Sequence, residues 1–318
     1  MSLFMNRCFV LAAIVAIASV PSNAAAAPAG IAYDQVLKMM ANADASTIAP
    51  PASFDADFQT ASKPVDAPSS GGGIFGRIAA SVAQAGNMMA MMRTGMAERH
   101  YFAGIKERTN YPATQRASIL DCGARTITTL DLKNKTYTVV SLDQPAAPAH
   151  PGTRATPAAA ATDDGSRVSI AVTNRALGSK PVFGQTTDEF ATLVATTVTK
   201  ADGTSATSNF NLTQYLSQSP QPALDCSALA ANGPPQMAMY ANAMRTLHDP
   251  KFNATVSGPA VPMRRLSLFD VVTFSGQGGS TQQGGSFSFV TERGNVRSLD
   301  AADPLFSVPA DFTKSASP

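Results

Sequence analysis

The chain has no tryptophan, three histidines and three cysteines among its 318 residues. Few catalytic or metal-binding schemes can be assembled from so few His and Cys. Charge is scarce too. Asp, Glu, Lys and Arg make up 14 %, against about 25 % in an average soluble domain. Lys and Arg number 24, Asp and Glu 22, for a formal net charge of +2. That balance excludes the basic stripe of a nucleic-acid binder and the acidic composition of a solvating tail. No G-x-S-x-G elbow is present for a serine hydrolase. Gly71-Gly72-Gly73 precedes a predicted helix but lacks the Lys and Ser/Thr of a phosphate loop. The stretch from Gly276 to Gly285 reads as a hairpin tip. No enzyme, cofactor or nucleic-acid partner is expected.

One long apolar run exists, at the start. Met1 to Arg7 carries a single positive charge, and Cys8 to Val20 is unbroken apolar and small residues. Pro21 follows, and Ser22-Asn23-Ala24 forms an A-x-A-like cleavage site. The run of about 13 residues falls short of the roughly 20 a bilayer span needs. Residues 1–24 therefore read as a signal peptide cut near Ala24. The mature chain is expected in the periplasm or outside the cell, without a transmembrane segment. Two cysteines remain, Cys122 and Cys226, each preceded by Asp. In an oxidising compartment a bridge between them is the leading reading, with two buried free thiols, or a catalytic cysteine paired with a histidine, as the alternatives; no cysteine-nucleophile signature surrounds either residue.

Residues 25–72 have the Ala, Ser, Pro and Gly content of a disordered linker, with one short helix expected at Tyr33 to Ala41. A folded domain is expected over 73–314, leaving a tail at 315–318. Residues 143–166, rich in Pro and Ala, read as a surface insertion. Between Ile74 and Met92, apolar residues from Phe75 to Met92 recur at intervals of three and four, the period of an amphipathic helix. A second helix is expected from Pro235 to Leu247. The rest reads as strands: a hairpin over Arg125 to Val140, then Val168 to Thr173, Phe190 to Lys200, Thr204 to Leu212, Arg265 to Phe274 and Ser286 to Arg293. Their mixture of apolar, Thr and Ser residues suits an antiparallel sheet. The expected fold is α+β: one curved antiparallel sheet with two helices on its concave side.

Several segments resemble a known family. Lys106 and Arg108 close an extended segment, Ile119-Leu120-Asp121 ends a strand, and Lys135-Thr136-Tyr137-Thr138-Val139 resembles the family's Lys-x-Tyr-x-Val. Gly258 to Arg264 resembles its G-x-P-hydrophobic-R segment. Leu305-Phe306-Ser307-Val308-Pro309-Ala310-Asp311-Phe312 resembles its closing pattern and is the most specific piece. Together, in pieces over residues 74–314, they resemble the exported domain-of-unknown-function family 4412, which is similar to LolA/LolB-type periplasmic lipoprotein carriers. That resemblance implies a half-barrel closed by helices around an apolar groove that takes acyl chains.

Met residues crowd two places, Met88 to Met96 and Met237 to Met244. Met fills irregular core gaps, suits varied apolar ligands in a pocket, and as a soft thioether selects Cu(I). The candidate ligand-binding residues are Phe75, Ile78, Val82, Met89, Met92, Met237, Tyr240 and Met244. Arg93, Arg99, Arg108 and Arg264-Arg265 are candidates for a positive rim. The function expected is binding or carrying a lipid-like molecule in the cell envelope without catalysis. The alternatives are a Met-rich Cu(I)-handling protein and a structural module whose groove is filled by its own helices.

Overall fold

The computed structural model describes residues 30–41, 47–64, 93–143, 167–222, 224, 226, 253–276, 287–300 and 304–315. The expected signal peptide, the expected helices at 74–92 and 235–247, and the 143–166 insertion lie outside these residues, apart from Asp143 at the insertion's start.

Among the described residues, thirteen strands form a single sheet, accompanied by one α-helix. The strands are β1 (Gly30–Ala41), β2 (Met96–Ala103), β3 (Lys106–Tyr111), β4 (Arg116–Asp121), β5 (Thr126–Asp131), β6 (Thr136–Ser141), β7 (Arg167–Val182), β8 (Gln185–Thr199), β9 (Ser205–Pro220), β10 (Asn253–Ser257), β11 (Arg265–Gly276), β12 (Phe287–Leu299) and β13 (Thr313–Lys314). The helix, α1, spans Phe54–Ala61. The order across the sheet is β10-β7-β8-β9-β11-β12-β1-β2-β3-β4-β5-β6-β13. Pairing is antiparallel except at the two edges, where β10 joins β7 and β13 joins β6 in parallel.

The α+β expectation is therefore corrected: the described protein is mostly β, and α1 is its one α-helix. The sharpest local correction falls at Tyr33–Ala41, where a helix is expected inside a linker and the chain instead forms β1. That strand lies in the interior of the sheet, between β12 and β2. Its helical look comes from Val36, Leu37 and Met40. In the sheet, Tyr33, Gln35, Leu37 and Met39 point to one face, and Ala32, Asp34, Val36 and Lys38 to the other. Both faces are covered around Tyr33–Val36, so apolar–polar alternation is absent there, and strand pairing overrides the weak helical period.

The faces of β1 define the two faces of the sheet. On the face of Val36, here the outer face, Phe54, Phe58 and Ala61 of α1 bury against Val36 and Ala97. Their spacing of four and three puts them on one side of the helix, and Asp55 and Asp57 favour its N-terminal end. A Cβ at Gly294 of β12 would collide with the Phe54 ring, so only glycine permits this close approach. Farther along, the C-terminal arm packs Val308 and Phe312 onto Ala117, Ile119 and Leu130. Arg108 donates to the Leu305 carbonyl at 2.7 Å and Lys135 pairs with Asp311 at 2.8 Å.

The sheet curls with the face of Tyr33 inside. Six strand spacings separate β9 from β4, about 29 Å in a flat sheet. After Pro220 the chain reaches Leu224 in four residues, at most about 14 Å. Leu224 and Cys226 already share a buried cluster with Leu120 of β4, and Cys226 is bonded to Cys122 with Cα atoms 5.5 Å apart. A chord shorter than the arc it spans must cross the concave side. The bridge closes a loop of 104 residues, worth about 4–5 kcal/mol in the chain-entropy account. No helix among the described residues is long and apolar enough to cross a membrane.

Candidate functional site

The inner face is banded along its strands. At one end Ile31, Phe102, Pro220, Pro222, Leu224 and Val296 line a cavity of about 410 Å³ beneath the Pro220–Leu224 crossing. At the other end Leu37 and Met39 of β1, Phe289 of β12, Val272 and Phe274 of β11 and Phe210 of β9 are half-buried on the same face. Phe274 meets Phe210 and Phe289 edge-on, with ring centroids 5.2 and 6.2 Å apart.

Between these apolar bands runs a belt of polar side chains, one or two from each of six adjacent strands. Gln214 of β9 donates to Asp270 of β11 at 3.4 Å. Arg293 of β12 donates to the same carboxylate at 2.5 Å and, through Nε, to Gln35 Oε1 of β1 at 2.8 Å. Gln35 Nε2 donates to Glu98 Oε2 of β2 at 2.9 Å. His100, two residues on, has Nε2 3.0 Å from Glu98 Oε2 and Nδ1 3.1 Å from Glu107 Oε1 of β3. Thr109 donates to Glu107 at 3.2 Å. Cross-strand register brings these residues together: Gln35 faces Glu98 and His100 faces Thr109.

Two ionised carboxylates on opposite ring nitrogens are both satisfied only by an imidazolium, since only the protonated ring donates twice. Burial alone would lower the pKa of His100. The bonds to Glu107 and Glu98 outweigh it and push the pKa up to about 9. Tyr33 and Phe102 stack beside the ring, at 5.0 and 6.2 Å. Burial pushes the Tyr33 hydroxyl up to about 12, against the opposing charge of Arg293. The belt therefore holds two cations, Arg293 and His100, and three carboxylates, Asp270, Glu98 and Glu107.

A second cavity, of about 510 Å³, lies on the outer side where α1 begins, lined among others by Pro50, Pro51, Phe54, Pro181 and Phe183. Among the described residues no comparable set of ions converges there, and no group of three or more His, Cys, Asp or Glu is arranged to hold a metal ion.

All eight residues expected to line a ligand site, Phe75, Ile78, Val82, Met89, Met92, Met237, Tyr240 and Met244, lie outside the described residues. Met96 is the one methionine of the run Met88 to Met96 with a described position, half-buried on the inner face opposite Leu37. The arginines expected to form a positive rim do not converge. Arg99 sits on the outer face, 3.5 Å from Asp34 and over the Phe58 ring. Arg108 is buried under the C-terminal arm. Arg265 clamps the carbonyls of Leu216 and Ser217 and pairs with Asp188 at 2.7 Å. Arg93 and Arg264 are exposed on separate segments. The Cys122–Cys226 bridge is present as expected. Sequence reading misses the belt. Its signal is slight: Glu98 and His100, then Glu107 and Thr109, are polar residues two apart on strands that lie inside the sheet.

The chain matches no family model, no curated protein and no solved structure with which it was compared.

Proposed function

We propose that this is an exported, non-catalytic binding protein for a lipid-like amphiphile, held on the inner face of the sheet. The observation that carries the reading is the banding of that face. Apolar side chains flank a partly buried polar belt, which matches a molecule with an apolar body and a polar group. Concave surfaces with a few convergent polar groups are the usual form of small-molecule sites. The N-terminal apolar run and the disulfide agree with a cell-envelope location. The resemblance to exported family 4412 points the same way.

Native mass spectrometry of the mature chain, purified gently and then extracted with organic solvent, tests this. A lipid-sized adduct lost on extraction is expected. A clean apo mass, together with no binding of the apolar fluorophore N-phenyl-1-naphthylamine, overturns the reading.

A further inference from the structure

We infer that the ligand's alkyl chain lies in the cavity beneath the Pro220–Leu224 crossing and that its head is cationic, an ammonium set against Glu107 and Glu98. This deepens the binding reading above and rests on it. The cavity, about 410 Å³, falls within the roughly 300–1,000 Å³ of small-molecule sites, and its side chains are mainly apolar. Arg297 also borders it, but that guanidinium lies over the Tyr101 ring, on the outer face. The belt begins one step along the strands from the residues that line the cavity. On β1 the inner-face residues run Ile31, Tyr33, Gln35, and on β2 they run Phe102, His100, Glu98. Each step of two residues is about 7 Å. A head group one step from the cavity therefore meets Tyr33, His100 and Glu107.

The charge of that surface selects the head. Among the described residues three belt carboxylates face two cations, Glu98 and Glu107 sharing the single charge of His100, so the belt carries a net charge of −1. The nearby Asp188–Arg265 pair adds no net charge. Glu107 is the accessible acid: its side chain keeps 21 % exposure, against 5 % for Glu98. A carboxylate or phosphate head would add like charge to a poorly solvated site, while an ammonium head balances it.

The test is displacement of N-phenyl-1-naphthylamine from the mature, full-length protein at pH 7 by dodecylammonium, dodecanol and dodecanoate, each below its micelle concentration. Dodecylammonium is expected to displace the fluorophore at a concentration at least tenfold lower than dodecanoate, with dodecanol between them. In Glu107→Gln the ratio is expected to fall below threefold. Wild type alone decides the matter if that variant fails to fold. Equal displacement by the two ions, or tighter binding of dodecanoate, overturns the cationic head and leaves the binding reading standing. A fluorophore that does not bind at all, together with a clean apo mass, removes both.

Discussion

On the outer face, Lys38 of β1 reaches Asp57 of α1 at 2.6 Å and Glu292 of β12 at 2.7 Å, so its charge fastens a cover onto the sheet. On the inner face, Arg293, Glu98 and His100 bond along a row of neighbouring strands. The two faces bury ions for different ends. The outer ions sit at the margin of an apolar cluster formed by Val36, Phe54, Phe58, Ala61 and Ala97, and they help orient the helix that seals it. The inner ions replace apolar packing at the middle of the face. Buried ion pairs are weak evidence for stability, because apolar packing of the same volume often does as well. A belt of them flanked by half-buried apolar side chains is better explained as a surface that meets a polar group.

Each face can be perturbed alone. Arg293→Met removes the cation between Asp270 and Gln35 and leaves Asp270, itself 8 % exposed, without its charge partner. Loss of about 3–5 kcal/mol is expected, read from the midpoint of urea unfolding. A loss below about 1 kcal/mol would show that the belt is not held by this ion. Phe54→Ala acts on the other face. It empties the space between Phe58, Phe183 and Gly294 and is expected to cost about 3 kcal/mol. Fluorophore affinity on the inner face should stay within twofold of wild type. A larger change would mean that the faces are coupled through β1 and are not independent.

How much of this is legible in the sequence depends on which interactions are local. The hairpin of β5 and β6 is readable because its signals are short-range. Asp131 accepts the backbone N–H of Asn134 in its turn, and Lys135 takes the left-handed conformation there, at φ of 51°. The turn before it repeats the device with Asp121 and Ala124, and with Arg125 at φ of 52°. The strands expected at Val168, Phe190, Thr204, Arg265 and Ser286 rest on alternation and overlap β7, β8, β9, β11 and β12. The disulfide is legible because two cysteines remain once the expected signal peptide, with Cys8, is set aside. β1 is misread because burial on both faces erases the alternation that identifies a strand. The belt is invisible for a related reason. Gln35, Glu98, Glu107, Asp270 and Arg293 come from residues up to 258 positions apart, and nothing in a single chain says that they will share a row.

The smallest and most specific effect concerns His100. Its folded pKa is about 9, against about 6.5 for an ordinary histidine. The folded protein therefore keeps a proton between these values that the unfolded chain has released. The resulting stabilisation is fully present below about pH 6.5 and is lost as pH rises through about 9. The full shift corresponds to at most about 3 kcal/mol. Unfolding midpoints at about pH 6, 7.5 and 9.5 should fall progressively in wild type. His100→Gln retains one amide donor but does not titrate, so its profile should be flatter across the same window. Tyr33, pushed up to about 12, stays protonated throughout and does not confuse the comparison. A wild-type profile as flat as that of His100→Gln would mean that the folded site holds no more protons than the unfolded chain in this window, with the ring neutral and both glutamates ionised. The belt would then hold one fewer cation and a more negative net charge, so this measurement tests the state of His100 without reversing the head-group assignment.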